Sequence, residues 1–137
     1  MKRLFVDTNI VIDLLEKRAP FYHDAVILFT DAYNGKVELF ISPITYATVS
    51  YVLEKKGAEY VKKKLGVLRS ISQVTNTDSE TIDKAISSGF NDVEDAIQYY
   101  GAIGSGCECI ITRNGKDFIL SEIPVMTAGE YINHLTD

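Results

Sequence analysis

Three carboxylates and one amide stand where short apolar runs give way to a turn or open a helix. Leu4-Phe5-Val6 ends on Asp7, Asp95 leads into Ala96-Ile97, and Cys109-Ile110-Ile111-Thr112 is followed by Asn114 and Asp117. A charge that closes a buried strand needs a partner or a metal, because desolvating it alone is costly. In a sheet of parallel strands, ligands gather outside the carboxyl ends of the strands, which is where Asp7, Asn114 and Asp117 fall. Carboxylates drawn together there repel one another unless a cation intervenes, and hard oxygen donors suit Mg²⁺ or Mn²⁺. Such an ion lowers the pKa of a bound water and neutralises a phosphate. Asp7, Asp95, Asn114 and Asp117 are therefore the candidate catalytic residues, with Asp7, Asp95 and Asp117 as metal ligands.

Other acids have plainer readings. Asp92 is a good N-cap, and Glu94 favours the positive end of a helix. Asp13 shares a helix face with Asn9, four residues earlier, and would point either at the site or at solvent. Asp117 reads as a site residue or as part of a turn.

These positions need a frame of alternating strands and helices. Leu4–Val6 reads as a buried strand, and Thr8 or Asn9 can cap a helix bearing Ile10, Val11, Leu14 and Leu15. A helix over roughly Phe21–Tyr33 is closed by Asn34-Gly35. Val37–Ile41 is a strand, and Ser42-Pro43 opens a helix that ends near Gly57. A basic amphipathic helix follows, with Tyr60, Val61, Leu65 and Leu68 inside. Ile71–Val74 is a short strand, and Asp78-Ser79-Glu80 starts a helix running to Gly89. The Asp95 helix, the Cys109–Thr112 strand, an Asn114-Gly115 turn, the Pro124–Met126 strand and a helix capped by Thr127 complete the chain. The terminal helix carries Tyr131, Ile132 and Leu135. This order predicts one α/β domain over residues 1–137, a three-layer α/β/α sandwich with a central, mainly parallel sheet.

The 137 residues are 46% hydrophobic and 24% charged, enough for a core without staples. No apolar run approaches the ~20 residues of a membrane span, and the apolar stretch after Lys2-Arg3 is too short for a signal peptide, so the chain reads as cytoplasmic. Cys107 and Cys109 are the two cysteines. Separated by one residue in a predicted strand, they are expected to stay reduced thiols with no mutual disulfide. The net charge of −5 excludes a basic nucleic-acid coat. Yet Glu54–Arg69 holds six cations (Lys55, Lys56, Lys62, Lys63, Lys64, Arg69) against Glu54 and Glu59. That strip is either a solvated helix face or a local contact for a polyanion.

Four segments together resemble PIN-domain proteins, the group that includes VapC-type ribonuclease toxins. They are Phe5-Val6-Asp7-Thr8-Asn9 with Asp13, Ser42-Pro43-Ile44-Thr45, Asp92-Val93-Glu94-Asp95-Ala96-Ile97, and Cys109 through Phe118. Their order and spacing match over essentially the whole chain. The resemblance implies a metal-dependent endoribonuclease that cuts RNA by attack of water on phosphate. It also implies a small antitoxin partner and a homodimer. Asp7 and Asp95 match the first and third acids, and Asn9 matches a site-supporting amide or hydroxyl. The usual second acid is replaced by Thr48. Glu54, six residues on, lies about 240° further around a helix and cannot take its place. The fourth position falls to Asn114 or Asp117. The alternatives are a catalytically weakened or inactive PIN module that binds RNA or a protein partner, and a phosphoryl-transfer domain with Asp7 as nucleophile. That last class usually wants a second acid two residues on, where this chain has Asn9.

Overall fold

The computed structural model describes residues 1–135; residues 136–137 and the side chain of Leu135, expected on the terminal helix, lie outside the described residues. The elements run β1 (Lys2–Val6), α1 (Thr8–Leu15), α2 (Tyr22–Tyr33), β2 (Val37–Ile41), α3 (Pro43–Leu53), α4 (Ala58–Ser70), β3 (Gln73–Val74), α5 (Ser79–Ser87), α6 (Val93–Gly104), β4 (Cys109–Ile111), β5 (Val125–Met126) and α7 (Ala128–Leu135). The five strands form one all-parallel sheet in the order β3-β2-β1-β4-β5. The expected sandwich is thus observed, with every strand pair parallel.

Strand alternation builds two cores. Leu4, Val6, Leu39, Ile41, Cys109 and Ile111 face a cluster with residues of α1, α2, α3, α4 and α7. Phe5, Phe40 and Ile110, one position out of phase, face Tyr99 and Ala102 of α6 together with Cys107 and Phe118. The two cysteines are free and fall in opposite cores: Cys107 precedes β4 and so escapes the strand alternation, which would put residues two apart on one face. Burial pushes the Cys107 thiol up to about 12 and that of Cys109 up to about 11, so both stay protonated.

Several local expectations change. Asp7 itself, rather than Thr8 or Asn9, caps α1: its extended backbone and short carboxylate suit the position. The Ile71–Val74 strand contracts to Gln73–Val74, both exposed at the sheet edge. The Asn114-Gly115 turn is the start of a short 3₁₀ helix, Gly115–Phe118. Gly57, at φ +95°, separates α4 from a 3₁₀ extension of α3. Gly101 lets α6 pass close to the chain after β3; a Cβ there would meet Thr75 Oγ1 at 3.3 Å. Thr127 and Glu130 cap α7 reciprocally, at 3.0 and 2.9 Å. Among the described residues, no helix is long and apolar enough to cross a membrane.

Candidate active site

The strand order turns outward from β1: β2 and β3 lie on one side, β4 and β5 on the other. Asp7 leaves the carboxyl end of β1 at this point, where a crevice forms in an open parallel sheet. Its N–H donates to the Ile111 carbonyl at 2.9 Å, carrying the β1–β4 ladder one residue past the strand. Its carboxylate then serves two purposes. Oδ1 accepts from Thr8 N–H at 2.7 Å, which starts α1. Oδ2 accepts from Thr112 Oγ1 at 2.8 Å and from Asn9 Nδ2 at 3.3 Å. Thr112 Oγ1 in turn accepts from Asn114 N–H at 3.0 Å, and Asn9 Oδ1 accepts from Arg113 N–H at 3.2 Å. The supporting role expected of Asn9 has a concrete form: it ties the first turn of α1 to the turn after β4.

Asp95 approaches from α6. Asp92 is its N-cap, accepting from the N–H groups of Glu94 and Asp95 at 2.8 and 3.2 Å. Asp7, Asp95, Asn114 and Asp117 all line one cleft of about 280 Å³, together with Thr8, Asn9, Thr48, Glu94 and Gln98. The four expected site residues are therefore brought together. Thr48 also lines the cleft, so a carboxylate at that position would face the site. Glu94 and Gln98 are additions. Gln98 follows Asp95 by three residues, the helical spacing that puts both on one face, and that signal could have found it.

Burial and like charge hold protons on this site. Asp95 is pushed up to about 7, first by desolvation and then by the charges of Asp92, Asp117, Asp7 and Glu94. Asp7, 8% exposed, is also raised: desolvation outweighs the bonds from Thr112 and Thr8, and Asp117 adds repulsion. Among the described residues, no three His, Cys, Asp or Glu side chains are grouped closely enough to hold a metal ion unaided. The donor set nevertheless fits a hydrated hard cation, which keeps several of its waters. Gln98 supplies the sharpest sign: it is 3% exposed, it lines the cleft, and its Oε1 accepts no hydrogen bond. A buried carbonyl without a donor calls for a water or an ion.

Asp13 points neither at this cleft nor at solvent. It is fully buried, and Arg113 grips it with a fork, Nε to Oδ2 at 2.7 Å and Nη2 to Oδ1 at 3.0 Å. The guanidinium stacks on the Phe21 ring, 3.9 Å from its centroid. Arg113 thus anchors the loop that carries Asn114 onto α1, which carries Asn9.

Residues 3–116 match the PIN domain family. The chain is 27% identical over 135 residues to ribonuclease VapC1 of Aquifex aeolicus, covering 95% of this chain and 93% of that one. A toxin–antitoxin complex from Klebsiella pneumoniae contains a chain 26% identical to this one, with a TM-score of 0.67 and coverage of 91% and 97%. Mycobacterium tuberculosis VapC20, a sarcin-ricin loop cleaving toxin, shares the fold at 13% identity, with a TM-score of 0.67 and coverage of 86% and 95%. PIN-domain VapC ribonucleases are generally metal-dependent, in keeping with oxygen donors that crowd one cleft. Sequence motifs, sheet order and the position of the acids agree: this chain belongs to the PIN domain family.

Proposed function

We propose that the chain is a metal-dependent endoribonuclease, the toxin of a toxin–antitoxin pair. The observation that carries this reading is the convergence of Asp7, Asp95, Asn114 and Asp117 in one cleft at the carboxyl end of β1. Mg²⁺ or Mn²⁺ is the expected cation, held by Asp7, Asp95 and Asp117, with the Gln98 carbonyl as an acceptor for a bound water. When bound, the cation supplies an activated water and charge neutralisation at the scissile phosphate. The protein's own part is positioning. Thr112, Asn9 and the Thr8 N–H fix both oxygens of Asp7, which suits an ionised ligand better than a free nucleophile. Asn114 and Asp117 stand on the turn that the Arg113 fork secures.

RNA is the proposed substrate, a small antitoxin protein the proposed partner, and a homodimer the proposed assembly. Lys62 and Lys63 on α4 are exposed and available to phosphates, whereas Lys56 is paired with Glu16 at 3.2 Å. The test is incubation of pure protein with structured RNAs and Mn²⁺ or Mg²⁺, with a chelated control. Cutting that survives chelation would overturn the reading.

The raised carboxylates give a pH prediction. Between about pH 5 and 8 the folded protein holds more protons on Asp95 and Asp7 than the unfolded chain does. The contribution of Asp95 to stability is therefore greatest at the acid end and is lost as pH rises through about 7, and the raised Asp7 acts in the same direction. A divalent cation should reverse this, raising the melting temperature at pH 8 far more than at pH 5.5. A cation effect equal at both pH values would show that it binds elsewhere.

Thr48 favours a second reading, a catalytically weakened or inactive PIN module of weak cation affinity that binds RNA or a protein partner. Thr48→Glu adds a carboxylate to the cleft and should tighten Mn²⁺ binding about tenfold, or about 1.4 kcal/mol, by calorimetry. Tight Mn²⁺ binding by the unaltered protein would remove the ground for that second reading.

A further inference from the structure

We propose that a lobe beside Asp95 and Asp117 is a subsite for one unpaired nucleobase adjacent to the scissile phosphate. This deepens the ribonuclease reading and rests on it. Asp95 and Asp117 line two cavities at once. One is the polar cleft described above; the other, of about 270 Å³, is bounded by Phe90, Asn91, Lys116, Ile119 and Leu120. A strand whose phosphate reaches the carboxylates must place a neighbouring nucleotide over this second lobe.

The walls suit a base. Ile119 is 83% exposed and Leu120 51%, large apolar side chains standing in water at the lip of an acidic site. Phe90 is braced from behind, its ring 5.3 Å from Tyr99 and 6.2 Å from Tyr100. A Cβ on Gly89 would touch Leu120 Cδ1 at 3.4 Å, so the loop before α6 and the segment after the 3₁₀ helix already meet. The result is an apolar surface with a firm floor, the kind on which single-stranded bases stack.

Charge selects the occupant. Asp92, Asp95 and Asp117 line the lobe against Lys116 alone, so a second phosphate is disfavoured there and a neutral base is not. Asp92 spends Oδ1 on capping α6, and Asp95 and Asp117 are the proposed cation ligands, which leaves Asp92 Oδ2 and the Asn91 amide as the polar groups turned to a base. Carboxylate and carbonyl oxygens accept from exocyclic amino groups. Cytosine, adenine and guanine carry one; uracil does not. The lobe therefore favours an amino-bearing base over uracil at one position beside the cut.

The experiment uses an RNA library randomised at the nucleotides flanking a mapped cut, with the unaltered chain and the exposed-site double variant Ile119→Ser/Leu120→Ser. The unaltered chain is expected to disfavour uracil at one flanking position about fivefold or more. The double variant should lose that selection and show KM raised about tenfold, with its melting temperature retained. Selection that survives in the double variant overturns the subsite and leaves the nuclease reading intact. If neither cation supports any cutting, the nuclease reading fails. The subsite is then judged by an oligoribonucleotide bearing 2-aminopurine at successive positions. Quenching at one position by the unaltered chain and not by the double variant upholds the subsite. Equal fluorescence with both overturns it and leaves Ile119 and Leu120 to a protein partner.

Discussion

Asp7→Asn should lower metal-dependent RNA cleavage by about 10²–10³-fold, with Asp95→Asn close behind and the double variant little worse than either. The argument is geometric. Asp7 is the one acid in the cleft with both oxygens pinned, by Thr8 on one side and by Thr112 and Asn9 on the other. Asparagine keeps the shape and removes the charge that would hold a cation. It also turns one acceptor into a donor that faces the Asn9 amide, which loosens the tie between α1 and the turn after β4. The fold should survive, because the Asp7 carboxylate is desolvated and its neutral form is the easier one to bury. Asp7→Asn is accordingly expected to melt no lower than the unaltered protein in cation-free buffer at pH 8, and to lose the cation-dependent rise in melting temperature. Full cleavage by Asp7→Asn and Asp95→Asn alike would identify the activity as contamination. Full cleavage with the melting response intact would place the cation away from β1.

What could be read from the sequence depended on how local the cause was. Asp7 was legible because a carboxylate ending an apolar strand has few explanations. Asp92 was legible as a cap because N-cap chemistry acts within three residues. The period-two alternation around Phe5, Phe40 and Ile110 carried the two-sided sheet, whereas Cys107 and Cys109 part into opposite cores because Cys107 lies before β4, outside that alternation. Asp13 was misread because its partner lies 100 residues away; no window along the chain couples a helix acid to an arginine in a late turn. Gln98 was missed for a different reason. Its spacing from Asp95 was visible, but a glutamine amid Ile97, Tyr99 and Tyr100 reads as a boundary position, and its unpaired Oε1 is a property of the packed state. The cap role and the proposed site role of Asp7 coincide because the strand end, the helix start and the crevice are the same few residues.

Arg113→Ala should cost about 3–5 kcal/mol of stability, the largest effect expected of any substitution away from the acids. Asp13 is wholly buried, and the Arg113 fork satisfies both of its oxygens. Among the described residues, the only other cation within 4 Å is Arg18, 3.9 Å away and half-exposed, too distant to replace a bidentate grip. Removing Arg113 strands a charge in the core and uncovers the Phe21 ring on which the guanidinium lies. Against a typical total of about 5–15 kcal/mol, such a loss should be plain in a denaturant titration. Arg113→Lys keeps the charge but loses the fork and the stacking, so it should fall between the alanine variant and the native protein. Adding Asp13→Asn to Arg113→Ala should recover part of the loss, because the stranded charge is gone; the non-additivity measures the pair itself. A loss under about 1 kcal/mol, within the range of an exposed ion pair, would mean that water or Arg18 reaches Asp13 readily and that the fork adds little. Activity distinguishes anchoring from plain stability. The Arg113 N–H bonds Asn9 and its neighbour Asn114 lines the cleft, so the lysine variant, assayed well below its melting temperature, should still lose kcat. If kcat were instead unchanged in that variant, the Arg113–Asp13 pair would serve the core alone and the turn carrying Asn114 would hold its place without it.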